Sequence, residues 1–211
     1  MSEKVKRSYR STRRSEQASE TRRRIISAAH GLFVGKGYGR TTIAEVAKAA
    51  GVAVETVYAA FRNKPTLLRH VWYATLRGDE EDIRLLDRPE IRAVLGESDL
   101  ATRLGAHAVA ITPVFRRVTP LLRALQGAAT SEPAAEAMLD EFDERRLDAA
   151  GHYARAAAAT GQLAVSEQEC RDVFTATLDG ALWYRLVEQR GWSDKRFAQV
   201  LATMWIAALV R

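Results

Sequence analysis

Hydrophobic residues recur at intervals of three and four positions over most of this chain, which is the spacing of one face of an amphipathic helix. The first run begins near Glu20 and ends at Lys36-Gly37, and its apolar positions are Ile25, Ala28, Ala29, Leu32 and Phe33. Later boundaries, such as Ser131-Glu132-Pro133, carry the signals of helix starts and stops and not those of strand turns. The pattern therefore predicts an all-α fold.

Two short helices follow the first run. Thr42 and Glu45 have the spacing of a capping box, which predicts a helix from Ile43 to Ala50. Gly51 permits a left-handed turn, and a second short helix is predicted from about Val54 to Phe61. Two short helices joined by such a turn predict a helix-turn-helix, whose second helix fits the DNA major groove of about 12 Å.

The remaining apolar runs predict a helical body behind these short helices. A fourth helix begins after Asn63, and its periodicity continues toward Leu86. Pro113 lies inside the apolar run from Leu100 to Val118, so we expect that helix to kink or break there. The last two helices are predicted over residues 167–190 and 194–210.

Charge is distributed unevenly along the chain. Residues 1–70 hold 15 Lys and Arg against 5 Asp and Glu, a net of +10, whereas residues 71–211 hold 17 against 21, a net of −4. Residues 1–18 carry six basic side chains and too few apolar ones to form a core, so we expect a flexible basic arm. The basic N-terminal part favours a polyphosphate partner, with a merely solvated tail as the alternative.

The residues around the two short helices resemble the signature of TetR-family transcriptional regulators. The matching motifs are Gly37-Tyr38-Gly39-Arg40-Thr41-Thr42-Ile43-Ala44-Glu45-Val46-Ala47, Gly51-Val52, Thr56-Val57-Tyr58, Phe61-Arg62-Asn63-Lys64 and Leu67-Leu68. The resemblance implies a three-helix DNA-binding domain with a helix-turn-helix over residues 19–66, after the arm of residues 1–18. It implies a helical ligand-binding and dimerisation domain over residues 67–211.

The resemblance also implies which residues contact a double-stranded operator. The amide and hydroxyl of Thr42, the phenol of Tyr58 and the ammonium of Lys64 match the phosphate-contacting positions. Lys48 and Arg62 are either phosphate contacts or solvated surface charges. The full implied set is Arg40, Thr41, Thr42, Lys48, Val54, Glu55, Thr56, Tyr58, Ala59, Arg62 and Lys64, and Arg40 with Arg13 and Arg14 of the arm would reach the minor groove.

The predicted recognition helix differs from the family at its start and on its outer face. Ala53 replaces the usual Ser or Thr cap, a loss of about 1 kcal/mol that packing must offset. Val54 and Ala59 stand where polar or aromatic residues are common. This surface therefore favours apolar contact with thymine methyl groups, with Thr56 and Glu55 as the polar side chains available to bases.

In the family, the last two helices of each subunit form a homodimer interface, and the apolar stripes of the last two predicted helices fit that role. The predicted interface residues are Phe174, Leu178, Leu182, Phe197, Val200, Leu201, Met204, Trp205 and Leu209. Aromatic and apolar residues elsewhere in the body predict a mostly apolar pocket for an unidentified small molecule, although the same spacing is typical of plain core. The predicted lining is Trp72, Tyr73, Leu76, His107, Ile111, Phe115, Leu122, Phe142, Tyr153 and Trp183.

Other classes of function receive little support from the sequence. The acidic residues between Asp140 and Glu144 suit the solvated face of a helix, and no nucleophile elbow, phosphate loop or HExxH motif is present. We therefore expect no enzyme, no metal site and no cofactor, since the four histidines lack ligand spacing. We also expect a cytoplasmic protein without a membrane span. The alternative to a ligand-responsive repressor is an architectural or ligand-independent DNA-binding protein.

Overall fold

The computed structural model describes residues 2–78 and 87–211, and for residues 2–15 and Glu90 it describes the backbone alone. Over these residues the regular structure is helical, and the predicted all-α fold is confirmed. The helices are α1 (Ser2–Lys36), α2 (Ile43–Ala50), α3 (Val54–Phe61), α4 (Lys64–Arg77), α5 (Pro89–Gly96), α6 (Leu100–Gln126), α7 (Pro133–Ala158), α8 (Glu167–Thr177), α9 (Ala181–Trp183) and α10 (Asp194–Leu209), with a π-helical turn at Tyr184–Glu188 between α9 and α10.

The first helix is longer than predicted. The backbone of α1 is helical from Ser2, well before the predicted helix start near Glu20, and the flexibility of the basic arm over residues 1–18 stays a prediction. No Gly or Pro occurs before Gly31, and Lys, Arg, Glu and Ala are good helix formers. A helix that is nucleated by packing around Ile25 can therefore extend backwards at little cost. The side chains of Arg13 and Arg14, predicted to reach the minor groove, lie outside the described residues.

α1 to α4 pack together into a head, and its buried side chains are part of one apolar core that continues into the body. The buried face of α1 carries Ile25, Ala29 and Phe33, which pack with apolar side chains of α2, α3 and α4. Phe33 meets Tyr38 edge to face with ring centres 5.1 Å apart. α4 ends at Arg77, where Gly78 takes a left-handed conformation with φ of 78°, and the predicted continuation toward Leu86 lies outside the described residues.

α6 forms the centre of the body and packs along α10, and α7 packs along α8. Of the kink or break predicted at Pro113, the break does not occur, because the helix continues through Pro113 and Pro120 to Gln126. Pro113 removes the partner of the Val109 carbonyl. Val109 and Pro113 are exposed, so water can bond to that carbonyl, while the buried face of α6 stays packed.

The predicted helix over residues 167–190 is interrupted. α8 ends at Thr177, and Gly180 has a φ of 79°, a left-handed conformation that favours glycine. The Asp179 carboxylate accepts a hydrogen bond from the Ala181 amide at 2.8 Å and so starts the next helical segment. An Asp-Gly pair is a strong turn signal, and here it overrides the apolar periodicity.

The apolar stripe of α10 faces mainly into its own subunit. Five of the nine predicted interface residues are buried inside the chain: Phe174, Phe197, Leu201, Trp205 and Leu209. Phe174 lies on α8 and the other four on α10, which packs along α6, and the contact of these five with a partner stays a prediction. The other four are half-buried (Leu178, Leu182 and Val200) or exposed (Met204). In the described part of the chain, no helix is both long enough and apolar enough to cross a membrane.

Candidate nucleic-acid interface

The turn before α2 is fixed by two threonines with different roles. Thr42 forms the predicted capping box, since its amide donates to Glu45 Oε2 at 2.9 Å and its hydroxyl accepts from the Glu45 amide at 3.2 Å. Glu45 is also paired with Lys36, and these bonds hold the pKa of its carboxyl at about 2. The Thr42 amide and hydroxyl are thus engaged with Glu45, so a phosphate that contacts them must displace that carboxylate.

Thr41 is a structural residue in this arrangement. Its side chain is buried, and its hydroxyl donates to the Gly37 carbonyl at 2.8 Å. The Thr41 side chain is therefore engaged within the turn, and the DNA contact implied for this residue stays a prediction. The buried hydroxyl fixes the turn that orients Thr42 and the start of α2.

An arginine of α1 holds the turn between α2 and α3. The Arg24 guanidinium donates to the Ala50 carbonyl at the end of α2, and it lies 3.3 Å from the Gly51 carbonyl. Gly51 has a φ of 64°, and a Cβ there would lie 2.8 Å from Arg24 Nη2. Glycine is required at this position both by the backbone conformation and by the close approach of Arg24.

A second arginine of α1 supports the end of the recognition helix α3. Arg22 Nη1 donates to the Ala60 carbonyl at 2.7 Å, and its guanidinium lies 4.4 Å from the centre of the Phe61 ring. Arg22 Nη2 is 3.0 Å from His70 Nε2. Burial first, and then the nearby arginines, lower the pKa of His70, which favours a neutral ring that accepts this bond.

The capping and turn motifs of the sequence do not identify these contacts of Arg22 and Arg24. A signal was present, because Arg22 shares the three- and four-residue spacing of the buried stripe at Ile25 and Ala29. An arginine in register with an apolar stripe points toward the neighbouring helices. Its charged group then bonds to carbonyls at their C-terminal ends, where a positive charge is favourable.

The outer face of α3 is available for contact with DNA. Tyr58 is 49% exposed, and Glu55 and Ala59 are exposed, whereas Val54 and Thr56 are half-buried. Ala53 makes no side-chain capping bond, as predicted. The structure therefore presents the small, weakly polar surface that the sequence indicated.

Lys64 lies beside the turn that joins α1 to α2. Its ammonium is 4.2 Å from the centre of the Tyr38 ring and donates to the Gly39 carbonyl at 3.4 Å. Burial lowers the pKa of Lys64, and the carboxylate of Glu132 opposes that shift. Arg40, Lys48 and Arg62 are exposed around the same domain.

The aromatic residues predicted to line a ligand pocket are packed in the core or against it, and their contact with a ligand stays a prediction. Trp72 stacks on Phe142 with ring centres 3.5 Å apart, and the Tyr73 hydroxyl donates to Glu141 Oε1 at 2.8 Å. His107 lies against Tyr153, with ring centres 4.0 Å apart. These side chains pack on one another.

The other predicted pocket residues are also packed, with one exception. Phe115 meets Phe197 edge to face, and Trp183 Nε1 donates to Asp194 Oδ1 at 3.2 Å. Ile111 is buried and Leu76 is half-buried in the core. Leu122 alone of the predicted set lines a cavity of about 370 Å³, which lies between the end of α6 and residues 179–189. The aromatic residues at helical spacing are therefore core residues in this structure, which is the alternative that the sequence left open.

Comparisons with known proteins agree with the geometry of the head. Residues 25–71 match the family described as bacterial regulatory proteins of the tetR family. The HTH-type transcriptional regulator TtgR of Pseudomonas putida is 44% identical over 57 residues, which are 27% of this chain and 27% of that relative. The sequence match thus spans about a quarter of the curated relative.

Solved structures extend the likeness to the whole fold. A transcriptional regulator from Saccharomonospora viridis in complex with choline superposes with a TM-score of 0.68 at 20% identity, over 92% of this chain and 99% of that one. NalD, the secondary repressor of the MexAB-OprM multidrug efflux pump in Pseudomonas aeruginosa, gives a TM-score of 0.64 at 21% identity, over 92% and 98%. Residues 25–71 therefore match the tetR family of bacterial regulatory proteins in sequence, and the whole chain matches the solved regulators in fold.

Proposed function

We propose that this chain is a transcriptional regulator that binds a near-palindromic operator as a homodimer and releases it when a small molecule binds. The observation that carries this proposal is the recognition helix α3, which is held from behind by Arg22 and presents exposed Tyr58 and Ala59 to solvent. Such a helix has the size to enter the major groove, with phosphate contacts on either side.

The link between head and body supports a response to a ligand. α4 starts in the head at Lys64 and ends against α6, where Arg117 donates to the Thr75 and Leu76 carbonyls at 3.3 and 3.2 Å. A shift of α6 would therefore be transmitted to the last turn of α4. Operator binding needs two recognition helices about 34–36 Å apart, so a tilt of α4 would weaken it.

Selection from random double-stranded DNA with the purified chain tests the proposal. A dimeric regulator enriches one near-palindrome, and Ala59→Glu should abolish the enrichment because it places a negative charge toward the groove. Ala106→Glu is the matched control, since it makes the same change at an exposed position of α6 in the body. Enrichment of base composition alone would instead support an architectural DNA-binding protein, and no enrichment at all would refute both.

A further inference from the structure

A cavity of about 370 Å³ lies between the last two turns of α6 and the segment after α8. Its size is within the range of small-molecule sites. The interruption of the helix at Gly180 creates this space, because the chain turns there and presents Asp179, Tyr184 and Arg185 toward α6. The lining combines charged and amide groups with apolar surface from Leu122 and Ala181.

Two arginines make the lining positive. Arg123 and Arg185 face one acidic residue, Asp179, whose carboxylate already accepts a hydrogen bond from the backbone. Among the residues that the structure describes, neither arginine has an ion-pair partner. The guanidinium of Arg123 lies 4.5 Å from the centre of the Tyr184 ring, which orients it at the edge of the cavity.

A buried hydroxyl without a partner adds a second polar group. Thr119 is 1% exposed, and its Oγ1 makes no hydrogen bond within the described parts of the chain. A Cβ at Gly180 would lie 2.6 Å from this oxygen, so the glycine is required for the hydroxyl to occupy its place. A buried hydroxyl without a partner is costly, and a ligand that hydrogen-bonds to it would recover that cost.

We propose that this cavity binds a small aromatic carboxylate. The carboxylate would pair with the guanidinium groups of Arg123 and Arg185, which match its planar geometry and can each donate two parallel bonds. The ring would lie on Tyr184 and the apolar lining, and Thr119 would supply a hydroxyl to a polar substituent. The role of this ligand as an effector rests on the proposed regulatory function. Its binding to the cavity does not depend on that function.

The cavity is placed to influence the head. Thr119 is two residues from Arg117, which bonds to the last carbonyls of α4. Beyond Gln126, at the other end of the lining, the chain turns and reaches Glu132, which lies against Gly39 in the head. A ligand that shifts the end of α6 therefore acts on both connections. If the ligand lowers the affinity for DNA by some factor, bound DNA must lower the affinity for the ligand by the same factor.

A series of probes with one ring and different charges tests the site without DNA. Titration calorimetry with 2-naphthoate, 2-naphthamide and 2-naphthylmethylamine should show binding of the naphthoate at least about tenfold tighter than that of the other two. Arg123→Gln and Arg185→Gln should each weaken naphthoate binding about tenfold or more, and Thr119→Val should leave the charge preference in place. Arg92→Gln, at an exposed position of α5, is the matched control and should bind like the wild type.

Equal binding of the three probes, unchanged binding by both arginine variants, or no naphthoate binding up to about 1 mM would overturn the proposal. Because Arg123 and Arg185 are both exposed, both variants should fold. The selection from random double-stranded DNA tests the regulatory proposal independently of naphthoate binding. If the naphthoate binds but no operator is enriched, the regulatory proposal fails and the anion site remains.

Discussion

Glu132, in the turn between α6 and α7, lies directly against Gly39, in the turn between α1 and α2. A Cβ at Gly39 would be 3.2 Å from Glu132 Oε1. Lys64 donates to the carbonyl of the same glycine at 3.4 Å, and Glu132 opposes the lowering of the Lys64 pKa by burial. Burial and, secondarily, Glu132 raise the pKa of Tyr38 to about 12. A negative charge of the body thus lies beside the lysine that the resemblance assigns to phosphate.

The first prediction concerns that charge. Glu132→Gln should tighten binding to any duplex DNA by roughly two- to fivefold at low salt, because it removes about 0.5–1 kcal/mol of repulsion between the carboxylate and a nearby phosphate. Fluorescence anisotropy at several salt concentrations measures the change. Glu136→Gln, one helical turn further along α7 and exposed, is the control. An equal gain from both variants would show that net charge alone acts and that the contact with Gly39 has no part.

The second prediction is that Tyr58 and Lys64 position the protein on DNA without reading its sequence. Tyr58→Phe and Lys64→Ala should weaken binding to all sequences alike, and Lys64→Ala should reduce the salt slope by about one unit. Binding to the selected operator and to a scrambled duplex gives the comparison. A change in the ratio of the two affinities would assign a base contact to the altered residue.

The third prediction concerns the arginine that holds the helix-turn-helix. Arg24→Met keeps the apolar stem and removes the bond to the Ala50 carbonyl, so it should lower the free energy of unfolding by about 1 kcal/mol. Urea denaturation measures this, and DNA affinity should fall as the angle between α2 and α3 loosens. Lys195→Met, in the first turn of α10, makes a similar change at an exposed site. The assigned role is excluded if the two variants are equally stable and bind DNA equally.

The sequence predicted the head more closely than the body for a physical reason. The bonds that define α2, α3 and the start of α4 are local, such as the Thr42–Glu45 box and the Asn63 side chain that accepts from the Thr66 amide. Capping signals of this kind are visible within four residues. The roles of Arg22 and Arg24 depend on helices more than 25 residues away, and their functional contacts were therefore missed.

In the body, similar local patterns led to different structures. Pro113 predicted a kink or a break, but α6 is continuous there because its packing on α10 outweighs one lost hydrogen bond. The sequence predicts that Trp72 and Phe142 line a pocket, and in the structure their rings stack on each other. The observed cavity depends on Gly180, whose effect is to interrupt a helix that the apolar pattern favours. Periodicity identifies which side chains are apolar, but it does not identify their neighbours.

The fourth prediction uses the buried His107. Burial lowers its folded-state pKa to about 3, from an ordinary value of 6.5. Between these values the unfolded chain binds a proton that the folded chain does not, so stability is fully present above pH 6.5 and falls as the pH drops toward 3. The loss approaches about 1.4 kcal/mol per pH unit.

His107→Gln should remove this contribution and flatten the dependence of unfolding free energy on pH between about 4 and 6. Urea denaturation at several pH values measures the slope, which is independent of any uniform loss of stability from the substitution. His152→Gln, at an exposed position of α7, is the matched control. Identical slopes for the wild type and the His107 variant would contradict the assignment.

The last prediction concerns the homodimer and the part of α10 that faces away from α6. Met204 is 45% exposed there, and half-buried Val200 lies one turn before it. Large apolar side chains exposed in this way favour a second apolar surface, and a two-fold axis would bring the same residues of two subunits together. We expect sedimentation velocity at micromolar concentration to show a dimer for the wild type.

Met204→Arg should convert that dimer to a folded monomer, because two arginines would meet across the axis without a carboxylate to pair them. Val109→Arg makes the same kind of change at a 65% exposed site on α6 and should leave the dimer intact. Circular dichroism would confirm that both variants are helical. The monomer should also lose most of its affinity for a two-half-site operator while it keeps weak non-specific binding, since one head reads only one half-site. If the Met204 variant sediments as a dimer, the interface lies on another face, and α10 serves only to complete the core around α6.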